Sequence, residues 1–234
     1  MRRRCERGGL PIISIDPKKK EMVGRFKNPG TTWEREPVAV NDHDFKKDAR
    51  GTAIPWGLYE TVVNRGHVFI GTSHDTPAFA VTALARWWTR TGKRRYPQTN
   101  RLLILADGGG SNGSRNRAWK HQLQTRFCNR FGLKVTVCHY PPGTSKWNPI
   151  EHRLFSEVSK NWAGQPLESY ETILNFIRTT KTKTGLAVTA TLLDGDYPYG
   201  VKTSDAQMAE VHLHRHRVLP MWNYTLVPAS KPKM

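Results

Sequence analysis

The sequence predicts an α/β fold in which helices cover the faces of a mixed sheet, and three observations support this. Two apolar runs, LPIISID (10–16) and RLLILAD (101–107), have the length and composition of buried strands. Patterns typical of paired strands dominate the first third of the chain. Strand and helix patterns then alternate, and this order favours a mixed sheet flanked by helices.

Four segments in the first third of the chain have strand-like composition. They are residues 10–16, 18–28, 57–64 and 67–73. The last two flank Arg65-Gly66, which predicts a hairpin. Two segments lack a period: a basic lead-in at residues 1–9, and a polar stretch at about 28–52 that we interpret as an insertion or long loop.

The first helix is predicted directly after this hairpin. Thr76 is a candidate N-cap, and Pro77 suits the first helical position. Apolar residues follow at helical spacing through Trp87 and Trp88, and we expect Gly92 to end the helix.

Beyond the strand at 101–107, strands and helices alternate to the end of the chain. A helix with Trp119, Leu123 and Phe127 on one face is expected to end at Gly132. The remaining predicted elements are a strand at 133–140, a helix at 149–162, a helix near 169–179, a strand at 186–193, a short helix opened by the capping box Ser204-x-x-Gln207, a last strand at 222–227 and a tail at 229–234.

The charge of the chain points to a polyanionic partner. Lys and Arg number 37 against 19 Asp and Glu, which gives a formal net charge of +18. Nucleic acid is the first candidate for such a basic protein. Simple solubility or a ribosome-like structural role is the alternative.

Cysteine usage argues for a reducing compartment. The chain has three cysteines and no C-x-x-C motif, so neither a disulfide framework nor a zinc ribbon is expected. We interpret Cys128 and Cys138 as ordinary buried thiols. Since the sequence shows no signal peptide and no run of membrane-spanning length, we expect a cytoplasmic protein without a membrane partner.

The glycine-rich turn after residue 107 satisfies G-x-G-x-x-G at Gly108, Gly110 and Gly113. A dinucleotide site also needs an acidic residue about 20 positions later, and a P-loop needs Lys-Ser/Thr directly after its last glycine. No acidic residue lies between Gly108 and Pro149, and Ser114-Arg115 follows Gly113. We therefore interpret the glycines as a side-chain-free turn beside Asp107 rather than as a phosphate cradle.

Three carboxylates occupy similar positions at the ends of predicted elements. Asp16 and Asp107 each end a buried strand, and Glu151 precedes Leu154 and Phe155 by three and four positions on a helix. Carboxylate oxygens hold Mg²⁺ weakly enough for substrate phosphate oxygens to complete its shell. Two such ions can activate the attacking oxygen and stabilise the leaving one. The acids in this basic chain therefore predict metal-dependent phosphoryl transfer on nucleic acid.

Each acid also has a purely structural interpretation. Asp16-Pro17 and Asp107-Gly108 are ordinary turn dipeptides, and Asn148-Pro149-Ile150-Glu151 is a favourable helix N-terminus with Asn148 as N-cap. Competing first acids lie in polar stretches rather than at the end of a buried strand: Asp42, Asp44 and Asp75.

Long motifs around the three acids resemble a known family. The segments are IISIDPKKKEMVGRFKNPG, DHDF, ADGGGSNGSRNRAWK, HYPPGTSKWNPIEHRLFS and WNYTL. They are similar to the Rhodopirellula-type family of bacterial insertion-sequence transposases from about Leu10 to about Val227. PPGTSKWNPIEH is also similar to the P-x-x-x-x-x-N-x-I-E block of mariner-like transposases.

The resemblance implies a DDE catalytic domain of ribonuclease-H-like fold at residues 10–228. Asp16, Asp107 and Glu151 would form its catalytic triad and bind two Mg²⁺ or Mn²⁺ ions. The implied activity is cleavage of DNA at transposon ends and strand transfer into target DNA. A homodimer or higher assembly in the bacterial cytoplasm, on the nucleoid, would carry it out. A plain Mg²⁺-dependent nuclease and a catalytically silent DNA-binding remnant are the alternatives.

Family members are also expected to carry an upstream helix-turn-helix region that recognises the transposon ends. This chain begins almost at the first strand with a candidate catalytic acid. We therefore expect a truncated gene, a degenerate copy or an excised domain.

Six further residues lie beside the triad in sequence and are candidate DNA contacts. They are Lys18, Asn112, Arg115, Lys146, Trp147 and His152. The charged and polar side chains would contact phosphates. Trp147 would stack on an unpaired base, although closing the core at a helix end is the favoured alternative for this residue. The segment HLHRHR (212–217) is interpreted as a basic surface rather than a metal site.

Overall fold

The structure, a computed structural model, describes residues 1–42, 44, 46–141 and 143–229 of the 234-residue chain. The described residues form nine strands in one sheet. The strands are β1 (Ile12–Pro17), β2 (Glu21–Val23), β3 (Gly51–Glu60), β4 (Arg65–Gly71), β5 (Arg101–Ala106), β6 (Lys134–His139), β7 (Ala187–Leu193), β8 (Leu213–Arg215) and β9 (Asn223–Leu226).

The sheet is mixed, as the sequence predicts, and its order is β7-β4-β3-β1-β5-β6-β9-β8, with β2 paired to β3. The neighbours β1, β5 and β6 are parallel, and β4 is parallel to β7. Strand β3 is antiparallel to both β1 and β4, so β4 runs in the same direction as β1. The carboxyl ends of β1, β4, β5, β6 and β7 therefore meet at one edge of the sheet, which we call the carboxyl edge.

Six helices accompany the sheet in the described residues. They are α1 (Arg2–Arg7), α2 (Pro77–Trp87, continued by the π-helical turn Trp88–Gly92 and by Lys93–Arg95), α3 (Arg117–Leu123, continued by the π-helical turn Gln124–Cys128 and by Asn129–Phe131), α4 (the π-helical turn Glu151–Phe155 followed by Ser156–Asn161), α5 (Tyr170–Thr179) and α6 (Asp205–Ala209). Short 3₁₀ turns form at Lys46–Asp48 and Ser145–Trp147.

Different helices cover the two faces of the sheet. On one face, α2 and α3 bury an aromatic cluster that includes Phe79, Trp87, Trp88, Trp119 and Phe127. On the other face, α4 and α5 contribute Leu154, Phe155, Ile173 and Ile177, and Ile150 joins them from the position before α4. Each fully buried side chain of this size contributes about 1.5–3 kcal/mol relative to exposure. The two layers fix the sheet and leave its carboxyl edge accessible.

The predicted helix end at Gly92 and the predicted hairpin turn at Arg65-Gly66 are wrong, and β3 lies at Gly51–Glu60 instead of residues 57–64. Gly92 does not end the second helix, which runs on to Arg95. A Cβ at Gly92 would lie 2.5 Å from the Trp88 ring, so this glycine permits close packing instead of terminating the helix. The hairpin turn lies at residues 61–64, where Asn64 has a φ of 53°, and Arg65-Gly66 belongs to β4.

Two short elements were not anticipated. The basic lead-in contains α1, in which Arg2 and Glu6 form an i,i+4 ion pair. Cys5 on this helix packs against a small apolar cluster of Ile12, Leu103 and Leu105. The basic segment HLHRHR contains the edge strand β8. Charged residues on an edge strand oppose further strand pairing, which fits this position.

The described residues of the insertion between β2 and β3 are irregular apart from the turn Lys46–Asp48 and an isolated bridge between Phe26 and Asn41. Residues 230–234 of the predicted tail lie outside the described residues. No helix in the described part of the chain combines the length and the apolar character needed to cross a membrane.

A buried polar network ties β3 and β4 to the end of α2. The Glu60 carboxylate accepts hydrogen bonds from His67 Nε2 at 2.8 Å, from the Tyr96 hydroxyl at 3.0 Å and from Arg95. Burial alone would raise the pKa of Glu60, but the hydrogen bonds from His67 and Arg95 outweigh it and lower this pKa below its ordinary value. The charged form of Glu60 is therefore the stable one in the fold.

We predict that Glu60→Gln lowers the free energy of unfolding at pH 7 by about 2–4 kcal/mol, because it breaks a buried, hydrogen-bonded charge pair. Glu171→Gln is the matched control, since Glu171 pairs with Arg178 on the exposed surface of α5. We expect that change to stay within about 0.5 kcal/mol. Urea titrations measure both.

The difference between the Glu60→Gln variant and the natural chain should depend on pH. Because the folded-state pKa of Glu60 lies below its ordinary 4.5, its stabilisation is present above that pH and is lost as the pH falls through the folded-state value. Equal stability losses for Glu60→Gln at pH 7 and in strong acid would contradict this account.

Candidate active site

The period of two along β1 and β5 places two acids on one face at the carboxyl edge. Ile13 and Ile15 pack into the core beneath α2 and α3, so the next side chain, Asp16, projects toward the opposite face. Parallel pairing aligns Ile15 with Ala106. Asp107 follows Ala106 directly, so the two aspartates come from adjacent strand ends.

Asn148, at the start of the helix that carries Glu151, links these aspartates. Its side-chain amide donates to Asp107 Oδ1 at 3.0 Å and lies 3.4 Å from Asp16 Oδ2. Its carbonyl oxygen accepts from the Ser14 hydroxyl, and that hydroxyl accepts from the Ile150 N–H at 3.3 Å. Asn148 is fully buried, so this amide fixes the start of α4 against both strand ends.

Asp16 is the carboxyl group that is most strongly affected by its neighbours. Burial, followed by the negative charges of Asp107 and Glu151, raises the pKa of Asp16 from 3.8 to about 9. Only 7% of Asp16 is exposed, whereas Asp107 and Glu151 are half-buried. Burial also raises the pKa of Asp107, although the Asn148 hydrogen bond and nearby His139 act to lower it.

The donor set of this cluster fits a hard divalent cation. All three acids offer carboxylate oxygens, and a cation would relieve the repulsion that Asp107 and Glu151 exert on Asp16. Within the described residues, no three His, Cys, Asp or Glu side chains already stand in an arrangement that could hold a metal ion.

The glycine-rich turn keeps the space in front of Asp107 free of side chains. A Cβ at Gly113 would lie 3.1 Å from the Gly108 carbonyl oxygen, so the turn closes tightly there. Gly110 adopts a φ of 70°, which favours glycine. A Cβ at Gly109 would meet none of the described atoms within 4 Å. The turn and the two aspartates line a cleft that opens to solvent.

Four of the six candidate DNA contacts are exposed. They are Arg115, Lys146, Trp147 and His152. Trp147 is 62% exposed, so it does not close the core, contrary to the favoured interpretation of this residue. The His152 ring contacts the Lys146 carbonyl, which joins the short turn before α4 to its first residues.

Asn112 and Lys18 depart from the expected role. Asn112 is fully buried, and its backbone carbonyl oxygen lies 2.9 Å from His139 Nε2. This burial removes the Asn112 side chain from direct contact with DNA. Lys18 forms a 2.7 Å ion pair with Glu21 and lies over the Trp162 ring. Burial of these side chains was not visible in the charge pattern of the sequence.

Two residues beside the triad, Asn148 and Asp75, have interactions with it that the sequence did not indicate. Asn148 reads as an N-cap, but its side chain bonds to carboxylates while Ser14 caps the helix. Asp75, a competing first acid, lies close enough to raise the pKa of Asp16. Asp75 itself lies against Ser111, yet its Oδ1 is buried without a hydrogen bond of good geometry to any described atom. In the sequence, the signal for this placement of Asp75 near Asp16 is its position just before the N-cap Thr76.

Comparison with known proteins places the chain beside transposases. It matches the family model described as "Rhodopirellula transposase DDE domain" over residues 2–228. The solved Mos1 transposase paired-end complex with left transposon end is similar at a TM-score of 0.50 and 15% identity. The Mos1 mariner paired-end complex with Mn is similar at a TM-score of 0.47 and 16% identity, covering 71% of this chain and 46% of that one. A comparison with curated proteins finds no match.

The likeness to the first Mos1 complex confirms the ribonuclease-H-like fold. It covers 75% of this chain and 49% of the Mos1 chain. The chain therefore spans about half the length of that transposase, and the similarity at this level of identity concerns the fold.

We predict that the metal-free chain loses stability as the pH rises from about 4 to 9. The folded chain keeps a proton on Asp16 that the unfolded chain releases near 3.8, so the contribution of Asp16 to stability is greatest below that pH and falls toward the folded-state pKa of about 9. Asp16→Asn should flatten the dependence and raise stability at pH 9 by at least about 1.4 kcal/mol, the equivalent of one pKa unit.

Urea titrations at several pH values in the presence of EDTA test this prediction. Asp194→Asn changes an exposed aspartate and should follow the natural chain. A pH dependence that is unchanged in Asp16→Asn would show that another group causes it.

We further predict that Asn148→Ala lowers the free energy of unfolding by about 1–3 kcal/mol, because it leaves buried polar partners unsatisfied. Asn175→Ala removes an exposed amide on α5 and should cost less than about 0.5 kcal/mol. Thermal or urea unfolding of the two variants gives the comparison, and equal losses would exclude a special role for Asn148.

Proposed function

The chain belongs to the Rhodopirellula transposase DDE domain family, and we propose from this premise that it cleaves DNA strands and transfers them during transposition of a bacterial insertion sequence. The observation that carries the proposal is the convergence of Asp16, Asp107 and Glu151 at the carboxyl edge of the sheet. The whole chain carries a formal net charge of +18, which suits a polyanionic substrate.

Asp16, Asp107 and Glu151 would hold the metal, and we propose two Mg²⁺ or Mn²⁺ ions. Bound divalent ions would supply activation of the attacking oxygen and charge stabilisation of the leaving oxygen. Asp16 offers oxygens from the end of the central strand β1, and Asp107 does so from the adjacent strand end. Glu151 approaches from the helix side, so a strand of DNA would enter from the open cleft in front of the glycine turn.

Asn148 would act as a positioning residue in this reaction. Its amide holds the Asp107 carboxylate at 3.0 Å and leaves the second Asp107 oxygen available to a ligand. Ser14 orients the same amide from the opposite side. This support lies on a strand and a helix start, and such rigid elements keep catalytic groups in productive geometry better than loops do.

DNA is the proposed partner, both as transposon end and as target. Arg115, Lys146 and His152 are exposed and would contact phosphates, and the exposed Trp147 would stack on an unpaired base. An assembly of two or more copies on DNA and a location in the bacterial cytoplasm remain parts of this proposal.

A catalytically silent, DNA-binding remnant is the second candidate. The observation that favours it is the burial of Asp16, which is only 7% exposed and whose raised pKa opposes the charged form that would bind a cation. Both candidates predict DNA binding, but only the first predicts metal-dependent strand cleavage.

We predict that the intact chain nicks supercoiled plasmid DNA with Mg²⁺ or Mn²⁺ and that EDTA abolishes the activity. Asp107→Asn and Glu151→Gln should each lower the rate at least about 100-fold, since losing a metal ligand removes several kcal/mol of transition-state stabilisation. Circular dichroism should show an unchanged fold in both isosteric variants.

Glu157→Gln is the matched control, because Glu157 lies on the same helix in a surface ion pair with Lys160. It should retain the activity of the natural chain. Metal-dependent nicking that persists in Asp107→Asn and Glu151→Gln would refute the triad. An intact chain that binds DNA without cutting it would support the remnant.

A further inference from the structure

The hairpin formed by β8 and β9 presents an apolar tip to solvent. Its loop, residues 216–222, exposes Val218 by 69%, Leu219 by 52% and Met221 by 54%. Pro220 between them is also exposed. We call Val218–Met221 the hairpin tip. The core of the sheet does not use these side chains, so their exposure calls for a partner or an explanation.

The hairpin tip is held in a defined, unfavourable conformation. Leu219 has a φ of 49°, in the left-handed region that a branched side chain rarely adopts. Its carbonyl oxygen accepts from the backbone N–H groups of Trp222 and Asn223, both at 2.9 Å. The Asn223 side-chain amide also donates to the Val218 carbonyl at 3.0 Å. Strain of this kind persists where neighbouring contacts impose it, and it concentrates at functional sites.

Basic residues flank the hairpin tip. His214, Arg215 and Arg217 are exposed, and the Arg215 guanidinium donates to the Pro220 carbonyl at 3.2 Å. Arginine retains further donors after this bond. An apolar tip inside a basic collar is complementary to DNA, because the collar matches phosphates and the tip matches base faces.

The hairpin tip lies at the carboxyl edge, beside the candidate active site. The His139 ring, at the end of β6, contacts the Trp222 carbonyl at 3.1 Å and the Asn112 carbonyl at 2.9 Å. One imidazole therefore joins the base of the tip to the glycine-rich turn that follows Asp107. Strands β9 and β8 lie two and three positions from β5, so the strands that carry the tip lie about 10–15 Å across the sheet from β5, which leads into Asp107, at a strand spacing of about 4.8 Å.

We propose that the hairpin tip is a wedge that inserts between base pairs of duplex DNA lying across the carboxyl edge. Leu219, Pro220 and Met221 are the kinds of side chain that unstack base steps in this way. Arg215 and Arg217 bind the phosphates on either side of the opened step. The separation from Asp107 corresponds to about three to four base pairs at 3.4 Å each. The wedge thus rests on the proposed function, and it would bend the duplex next to the cut.

The test uses the full chain and short duplexes that carry 2-aminopurine at successive positions. Insertion of the wedge unstacks one step, so the natural chain should raise 2-aminopurine fluorescence at one position of the bound duplex. Leu219→Asn removes the apolar side chain at a φ that asparagine tolerates, so the fold is kept. It should abolish the fluorescence rise and weaken binding about tenfold, the loss expected when one leucine is no longer buried.

Salt dependence separates the wedge from its basic collar. Leu219→Asn should leave the slope of log K against log[salt] unchanged, whereas replacing Arg215 and Arg217 by Gln should reduce its magnitude by about 0.9 per lost phosphate contact. Leu219→Met keeps an apolar side chain and should restore the fluorescence rise. Val62→Asn changes a 60% exposed valine at the opposite edge of the sheet and should behave as the natural chain does.

The outcomes distinguish this inference from the proposed function. If the Leu219→Asn variant binds and unstacks DNA as the natural chain does, the wedge is overturned and the DNA function stays intact. Loss of self-association in Leu219→Asn, with unchanged DNA binding, would also overturn it and identify the tip as a contact between copies. A natural chain that binds no DNA would overturn both the wedge and the proposed function.

Discussion

The structure depends most on the buried carboxyl group of Asp16 at the end of the central strand β1. Its burial is unfavourable for a charged group and raises its pKa to about 9. The amide of Asn148 lies 3.4 Å from its Oδ2 and provides polar support. That amide is in turn fixed by Ser14, two residues before Asp16 on the same face of the strand. Strand β1 therefore supplies both the strained group and the anchor of the residue that supports it.

The burial of Asp16 requires that the ends of β1 and β5 and the start of α4 lie at the same place. The carboxyl edge brings Asp16 and Asp107 together because β1 and β5 are parallel neighbours. Helix α4 completes the cluster because the Ser14 hydroxyl accepts a hydrogen bond from the N–H of Ile150, directly before α4. Glu151 is the next residue and therefore lies beside the two aspartates. The cluster is thus built from two strand ends and one helix start, with Asp16 buried and Asp107 and Glu151 half-buried.

The sequence predicts the layered fold and the three acids because both follow from local patterns. Apolar runs ending in aspartate mark the strand ends, and helical spacing marks the faces that α2, α3 and α4 bury. The functions of Asn148 and Gly92 could not be predicted, because each depends on a contact with residues that another element or a neighbouring turn supplies. The same holds for Lys18. Its ammonium group forms an ion pair with Glu21 and lies over the Trp162 ring. A charge run in the sequence does not show which lysines remain available.

Unfavourable groups are compensated within the protein at one edge of the sheet but not at the carboxyl edge. On the edge of the sheet away from the candidate active site, the buried charge of Glu60 is matched by three donors, and this network stabilises the fold. At the carboxyl edge, the repelling carboxylates, the buried and unpaired Asp75 Oδ1 and the strained Leu219 are not compensated in this way. Evolution tolerates such costs where a ligand offsets them. For the carboxylates that ligand would be a divalent cation, and for the apolar tip it would be a base step of the same DNA. Under the two proposals, the carboxylates and the apolar tip, joined through His139, would mark the two ends of one DNA path along the edge of the sheet.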